Sequence, residues 1–136
     1  MISLVQTVPV TGAIVVTTPS DVALQDGRKA IEMFRTVKVP ILGIVENMSV
    51  FHCPHCGKEV DIFSKGGGER TARQFDVPFL GGIELDPNIR RGGDSGHPVS
   101  LAKESVGAQT FSALAEKVKE KAAEAAKTSE PVIEIR

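Results

Sequence analysis

The residues best suited to chemistry in this chain are Cys53 and Cys56, its two cysteines, set as Cys53-Pro54-His55-Cys56 between His52 and Gly57. Two thiolates at C-x-x-C spacing form half of a tetrahedral metal site, or one redox pair. Pro54 stiffens the turn, and Gly57 permits the tight backbone that lets both sulfurs face one point. No other cysteine exists to close a shell. The remaining ligands must come from a histidine, a water or a second copy of the chain.

The segments around this motif must hold it in place. Ala13-Ile14-Val15-Val16-Thr17-Thr18 is a continuous β-branched run. Such runs suit strands buried on both faces, as in parallel sheets. Pro19-Ser20-Asp21 stops it and offers caps for a helix, with Asp21 as the capping candidate. Val22 to about Val37 repeats apolar residues at helical spacing, and Val39-Pro40 ends it. Ile41-Leu42-Gly43-Ile44-Val45-Glu46-Asn47 reads as a second buried strand, completing a β-α-β unit. From Met48 to Phe63 the pattern breaks. The cysteine loop sits there, flanked by Val50-Phe51 and Val60-Asp61-Ile62-Phe63, which can pair as a small hairpin. Gly66-Gly67-Gly68 opens a helix to about Phe75, and Pro78 to Ile83 gives a third strand. Asp86 to Arg91 reads as a short capped helical turn, and Gly92 to Pro98 as loop. Gln109 to about Lys127 is a helix with Phe111, Leu114, Ala115 and Val118 on one face and Lys and Glu on a solvated one. Val132-Ile133-Glu134-Ile135, in the tail 128–136, could add a strand or stay disordered.

Composition sets the outer limits. At 136 residues the chain is long enough for one domain with a core. A formal net charge of −1 argues against nucleic acid or an anionic membrane as the main partner. Without Trp or Tyr the chain lacks the usual stacking platforms for single-stranded nucleic acid. No apolar run is long enough to span a bilayer, and the first residues lack the basic and apolar regions of a secretory signal. Two close cysteines suit a reducing cytoplasm and a metal or redox role.

Several strings together resemble one family, the Mrp/ApbC-type iron–sulfur cluster carrier ATPases, a branch of the MinD-like P-loop NTPases. They are Gln6 to Ala13, Thr18 to Leu24, Gly43-Ile44-Val45-Glu46-Asn47-Met48-Ser49, Cys53-Pro54-His55-Cys56-Gly57, Gly66-Gly67-Gly68, Val77 to Gly81 and Leu85-Asp86-Pro87-Asn88-Ile89-Arg90. The resemblance implies an α/β fold: a partial parallel-sheet P-loop NTPase, Rossmann-like and three-layered, with an inserted CxxC hairpin at about 48–63. Residues 1–127 would form that domain portion. The family's deviant Walker A string, K-G-G-x-G-K-[ST], and its D-x-P-P-G-T-G-D segment do not occur in these residues. The chain thus looks like the C-terminal part of such an ATPase, and ATP hydrolysis by it alone is not expected. Lys65-Gly66-Gly67-Gly68-Glu69-Arg70-Thr71 imitates a phosphate loop in outline. However, Glu69 sets a negative charge beside the phosphates, Arg70 replaces the lysine, and no buried strand leads in.

Three readings of the cysteine pair compete. In the first, which the resemblance favours, two protomers each give Cys53 and Cys56 to one 4Fe–4S cluster on a two-fold axis, matching the usual four cysteines. In the second, zinc takes the same dimeric Cys₄ site or a Cys₂His₂ site with His52 and His55. In the third, the pair is a thioredoxin-like redox couple, which needs a following helix that Gly57 to Asp61 does not supply. The two histidines otherwise read as exposed loop residues. The implied function is a homodimeric carrier that passes its cluster to apo iron–sulfur client proteins, gated by ATP and magnesium in the intact protein. The alternative is a zinc-binding dimerisation module without nucleotide chemistry. By the same resemblance, Asn47 contacts an adenine, and Asp86, Pro87 and Ile89 border it. An ordinary turn cap at Asn47 and a helix cap at Asp86 remain open. Arg90 and Arg91 read as solvated charge. A parallel sheet without further strands would also leave a hydrophobic edge, which dimerisation, element exchange or Val132–Ile135 could cover.

Overall fold

The computed structural model describes residues 2–102 and 104–128. A three-stranded parallel sheet forms the frame, built from β1 (Ala13–Thr17), β2 (Ile41–Asn47) and β5 (Phe79–Ile83) in the order β1-β2-β5. A separate antiparallel pair, β3 (Phe51–His52) and β4 (Glu59–Val60), carries the cysteines between its strands. The helices are α1 (Ile2–Thr7), α2 (Asp21–Thr36), α3 (Gly67–Gln74), α4 (Pro87–Ser95) and α5 (Val106–Thr128), with a 3₁₀ turn at Val99–Leu101.

Alternation along the strands produces three layers. Val15 and Ile44 point to one face, where Ile31 and Phe34 of α2 and Ala72 of α3 meet them. Ile14, Val45, Leu80 and Ile83 point to the other face, against Phe111, Leu114 and Val118 of α5. β2 lies in the middle and is buried from Leu42 through Glu46. That double burial explains why its sequence is an uninterrupted apolar run rather than an alternating one. The three-layer α/β architecture with an inserted cysteine hairpin is as expected.

The differences from the sequence pattern have local causes. Nothing in the pattern marks an element before Ala13, yet α1 forms and lays Val5 on the first core cluster. Asp21 is the first residue of α2 rather than its cap; Ser20 holds the cap position, without a side-chain cap bond. α4 runs to Ser95, through Gly92 and Gly93 that read as loop. Asp86 caps its start, Pro87 presets its first turn, the Arg90–Asp94 pair (2.8 Å) spans one turn, and Gly96 in the left-handed region closes it. Ala115 faces solvent, so the packed stripe of α5 is Phe111, Leu114 and Val118. Val132–Ile135 lies outside the described residues.

Both sheet edges are visible. On β5, Lys117 of α5 donates to the carbonyl of Leu80 at 2.9 Å. Among the described residues β1 pairs with β2 alone. An open trough of about 500 Å³ runs beside it, lined by Val16, Thr18, Asp26, Phe34 and Asn47, and Val16 is 62% exposed.

Candidate metal centre

β2 delivers the chain to the sheet's carboxyl end, and the cysteine hairpin springs from there. Met48 adopts a left-handed conformation (φ 54°) to leave the strand. The outgoing arm is then tied to the sheet twice, Ser49 N–H to the Ile83 carbonyl (2.9 Å) and Leu85 N–H to the Val50 carbonyl (2.8 Å). The ladder of the hairpin is only Phe51 opposite Val60 and His52 opposite Glu59. Its tip is a tight knuckle. Cys53 N–H donates to the Lys58 carbonyl (2.9 Å), and Gly57 N–H donates back to the Cys53 carbonyl (2.8 Å). Gly57 makes that return with φ at 68°, a conformation that disfavours any side chain.

The two thiols lie at this tip, Cys53 partly exposed and Cys56 exposed, both free. The Cys53 thiol is held below its ordinary pKa. The backbone N–H of Cys56 is the main cause, the N–H of His55 the next and the Cys56 thiol the third, against a small opposing effect of burial. Amides aimed at a sulfur stabilise its anion, the form that binds metal. The knuckle therefore eases loss of the Cys53 proton relative to an ordinary thiol. Such amides also donate to sulfurs in iron–sulfur sites, where they tune the bound group.

Among the described residues no cluster of three or more His, Cys, Asp or Glu side chains forms that could hold a metal ion. The Cys₂His₂ arrangement is thus not assembled within one chain. His52 turns elsewhere: its Nδ1 lies 3.2 Å from Glu84 and its Nε2 4.0 Å from Glu59. Glu59 also accepts from Lys65 Nζ at 2.9 Å, which raises the lysine's pKa. These half-exposed pairs add little stability.

Of the residues expected near a nucleotide base, Ile89 packs against the core and the other three separate into two clefts. Asn47 lines the trough beside β1, and its Oδ1 accepts from Met48 N–H at 3.0 Å, a turn cap. Asp86 and Pro87 line a cleft of about 630 Å³ that also contains His52, Pro54, Glu84 and Arg91. Asp86 Oδ1 accepts from Asn88 N–H at 2.8 Å, so it caps α4. One residue with a large structural role is silent in the sequence. Glu46, 1% exposed, accepts from Ser49 Oγ, Gly66 N–H and Gly68 N–H. An acid at a strand's end reads as the solvent boundary, and two of its three donors return only twenty or more residues later.

Residues 1–119 match the family described as "NUBPL iron-transfer P-loop NTPase", of the ParA group. The chain belongs to this family. Among curated relatives of this NUBPL-type family, an "Iron-sulfur cluster carrier protein" of Deinococcus radiodurans is 52% identical over 115 residues, 84% of this chain and 32% of that protein. One of the same description from Pyrococcus horikoshii is 44% identical over 118 residues, 87% of this chain and 40% of that one. The chain thus spans about a third to two-fifths of the length of these relatives. Among solved structures, the septum site-determining protein MinD complexed with Mg-ADP from Pyrococcus horikoshii is similar, with a TM-score of 0.61 and 33% identity, covering 86% of this chain and 44% of that one. The fold is therefore that of the MinD-like P-loop NTPases.

Proposed function

We propose that this chain is the cluster-holding part of an iron–sulfur cluster carrier. Two copies place Cys53 and Cys56 around one 4Fe–4S cluster, which is cargo for apo iron–sulfur client proteins. The observation that carries this reading is the pair of free thiols at the tip of a hairpin, Cys53 partly exposed and Cys56 exposed, with no third protein ligand gathered beside them among the described residues. Half a coordination sphere calls for another half, and a two-fold axis supplies it with the same residues. A cluster held at a junction by two ligands per chain can be handed over when the junction opens. The relatives described as iron–sulfur cluster carriers support an iron–sulfur cargo.

Nucleotide enters the proposal through Asn47, Asp86 and Pro87, as base contacts in the intact protein with ATP and magnesium. The Asn47 amide nitrogen and the second oxygen of Asp86 are left for that role by the caps described above. The proposed setting is the cytoplasm, with no nucleic acid and no membrane as partner. Among the described residues no helix is long and apolar enough to cross a membrane.

Anaerobic reconstitution of the purified chain with iron and sulfide tests the cargo. The expected result is a brown chromophore with iron and sulfide in equal amounts. One zinc per two chains and no chromophore would instead support a zinc-stabilised dimerisation module. A second expectation concerns turnover. The 136 residues contain no Walker A string, so the chain alone should release no phosphate from Mg-ATP above background. Steady magnesium-dependent release would refute that.

A further inference from the structure

The cysteine hairpin has a two-residue ladder and lies outside the main sheet. So short a ladder does not fix the angle at which the tip leaves the protein. That angle must be set at the base. We propose that Glu46 is the positioning residue that sets it, by gripping the outgoing and the returning arm at once. The proposal deepens the cluster-carrier reading and rests on it for its second readout.

Glu46 is the penultimate residue of β2 and 1% exposed. Its Oε1 accepts from Ser49 Oγ (2.8 Å), on the outgoing arm, and from Gly66 N–H (3.0 Å), where the returning arm ends. Its Oε2 accepts from Gly68 N–H (2.6 Å), in the first turn of α3. All three partners donate, and a carboxylate is the side chain able to accept from all of them in this arrangement. The surroundings are carved to fit. A Cβ on Gly68 would lie 3.0 Å from Glu46 Cβ and 3.1 Å from Oε2, and a Cβ on Gly82 would lie 2.9 Å from Ser49 Oγ. The glycines that resemble a phosphate loop in the sequence therefore serve a protein carboxylate instead. Because Asn47 follows Glu46 directly, a ligand engaging Asn47 would act on the same strand end that holds the hairpin.

Glu46→Gln isolates the effect. The amide keeps the shape but turns one acceptor into a donor. The Ser49 hydroxyl can reverse its role, whereas the Gly66 and Gly68 amides cannot. Two measurements follow. Amide hydrogen exchange in residues 50–65 should rise about tenfold or more while amides of β1 and β2 keep their protection. Iron release from the reconstituted cluster to a chelator should quicken by a similar factor, with the melting transition retained. Unchanged exchange in the hairpin would overturn the proposal. So would an equal rise across the sheet, which would make Glu46 a general stabiliser. If Glu46→Gln does not fold, Ser49→Ala removes the hydroxyl bond from the outgoing arm to Glu46 and leaves the two backbone bonds of that arm in place. It should raise exchange at 50–53 and 58–60, and level exchange there would overturn the proposal. If the unaltered chain takes up no cluster, the carrier reading fails while the exchange measurement still decides Glu46. If the unaltered chain loads and Glu46→Gln matches it in both measurements, the positioning role fails and the carrier reading stands.

Discussion

Replacing Cys53 or Cys56 with alanine is expected to reduce iron retention after reconstitution to background while leaving the fold in place. Each substitution would remove two ligands from the proposed two-fold site, because both copies would carry it. Two remaining thiolates cannot hold a cluster that takes four cysteines. The protein should tolerate the change, since both side chains sit at the tip of the hairpin and neither belongs to the two apolar clusters of the core. Substitutions at such positions usually stay within about 0.5 kcal/mol. Iron and sulfide analysis after desalting, alongside a thermal melt, gives the answer. A Cys56→Ala protein that loads fully would show that the pairs do not share one cluster. Loss of the melting transition would show that the knuckle supports the fold.

Gly43→Ala should have the largest effect on stability. Gly43 lies in the central strand with φ at 154°, and an added Cβ would sit 2.6 Å from Leu80 Cγ and 2.7 Å from the Pro78 carbonyl oxygen. The first atom belongs to a buried side chain and the second to the backbone just before β5, so neither can swing away cheaply. The combination of overpacking and an unfavourable backbone region costs about 3 kcal/mol. For a chain of this size that corresponds to a fall in Tm of roughly 10 °C. Melting followed by far-ultraviolet circular dichroism would show it. A Tm within a degree of the unaltered protein would mean that β2 and β5 are not pressed together as described.

The parts of the fold that were legible are those whose physics is local. β2 was readable from Ile41 to Asn47 because burial on both faces demands an unbroken apolar run. α2 announced itself through helical spacing and a clear stop at Val39-Pro40. The cysteine pair was readable because C-x-x-C spacing by itself limits the chemistry. What stayed hidden depends on distant partners. α4 continues through two glycines whose intrinsic preference opposes a helix, held by caps at its two ends and an ion pair that spans the glycines. Glu46 carries no clear local sign of its role, since two of its three donors, the Gly66 and Gly68 amides, lie twenty or more residues away. Asn47 ends β2 and Asp86 follows β5 by three residues, and their placement in separate clefts shows only in three dimensions.

The most direct measurement is the native mass of the anaerobically reconstituted protein. The account predicts a species of two chains with four irons and four sulfides, and a colourless single chain once the cluster is removed. A lone polypeptide that keeps its full complement of iron and sulfide would contradict it.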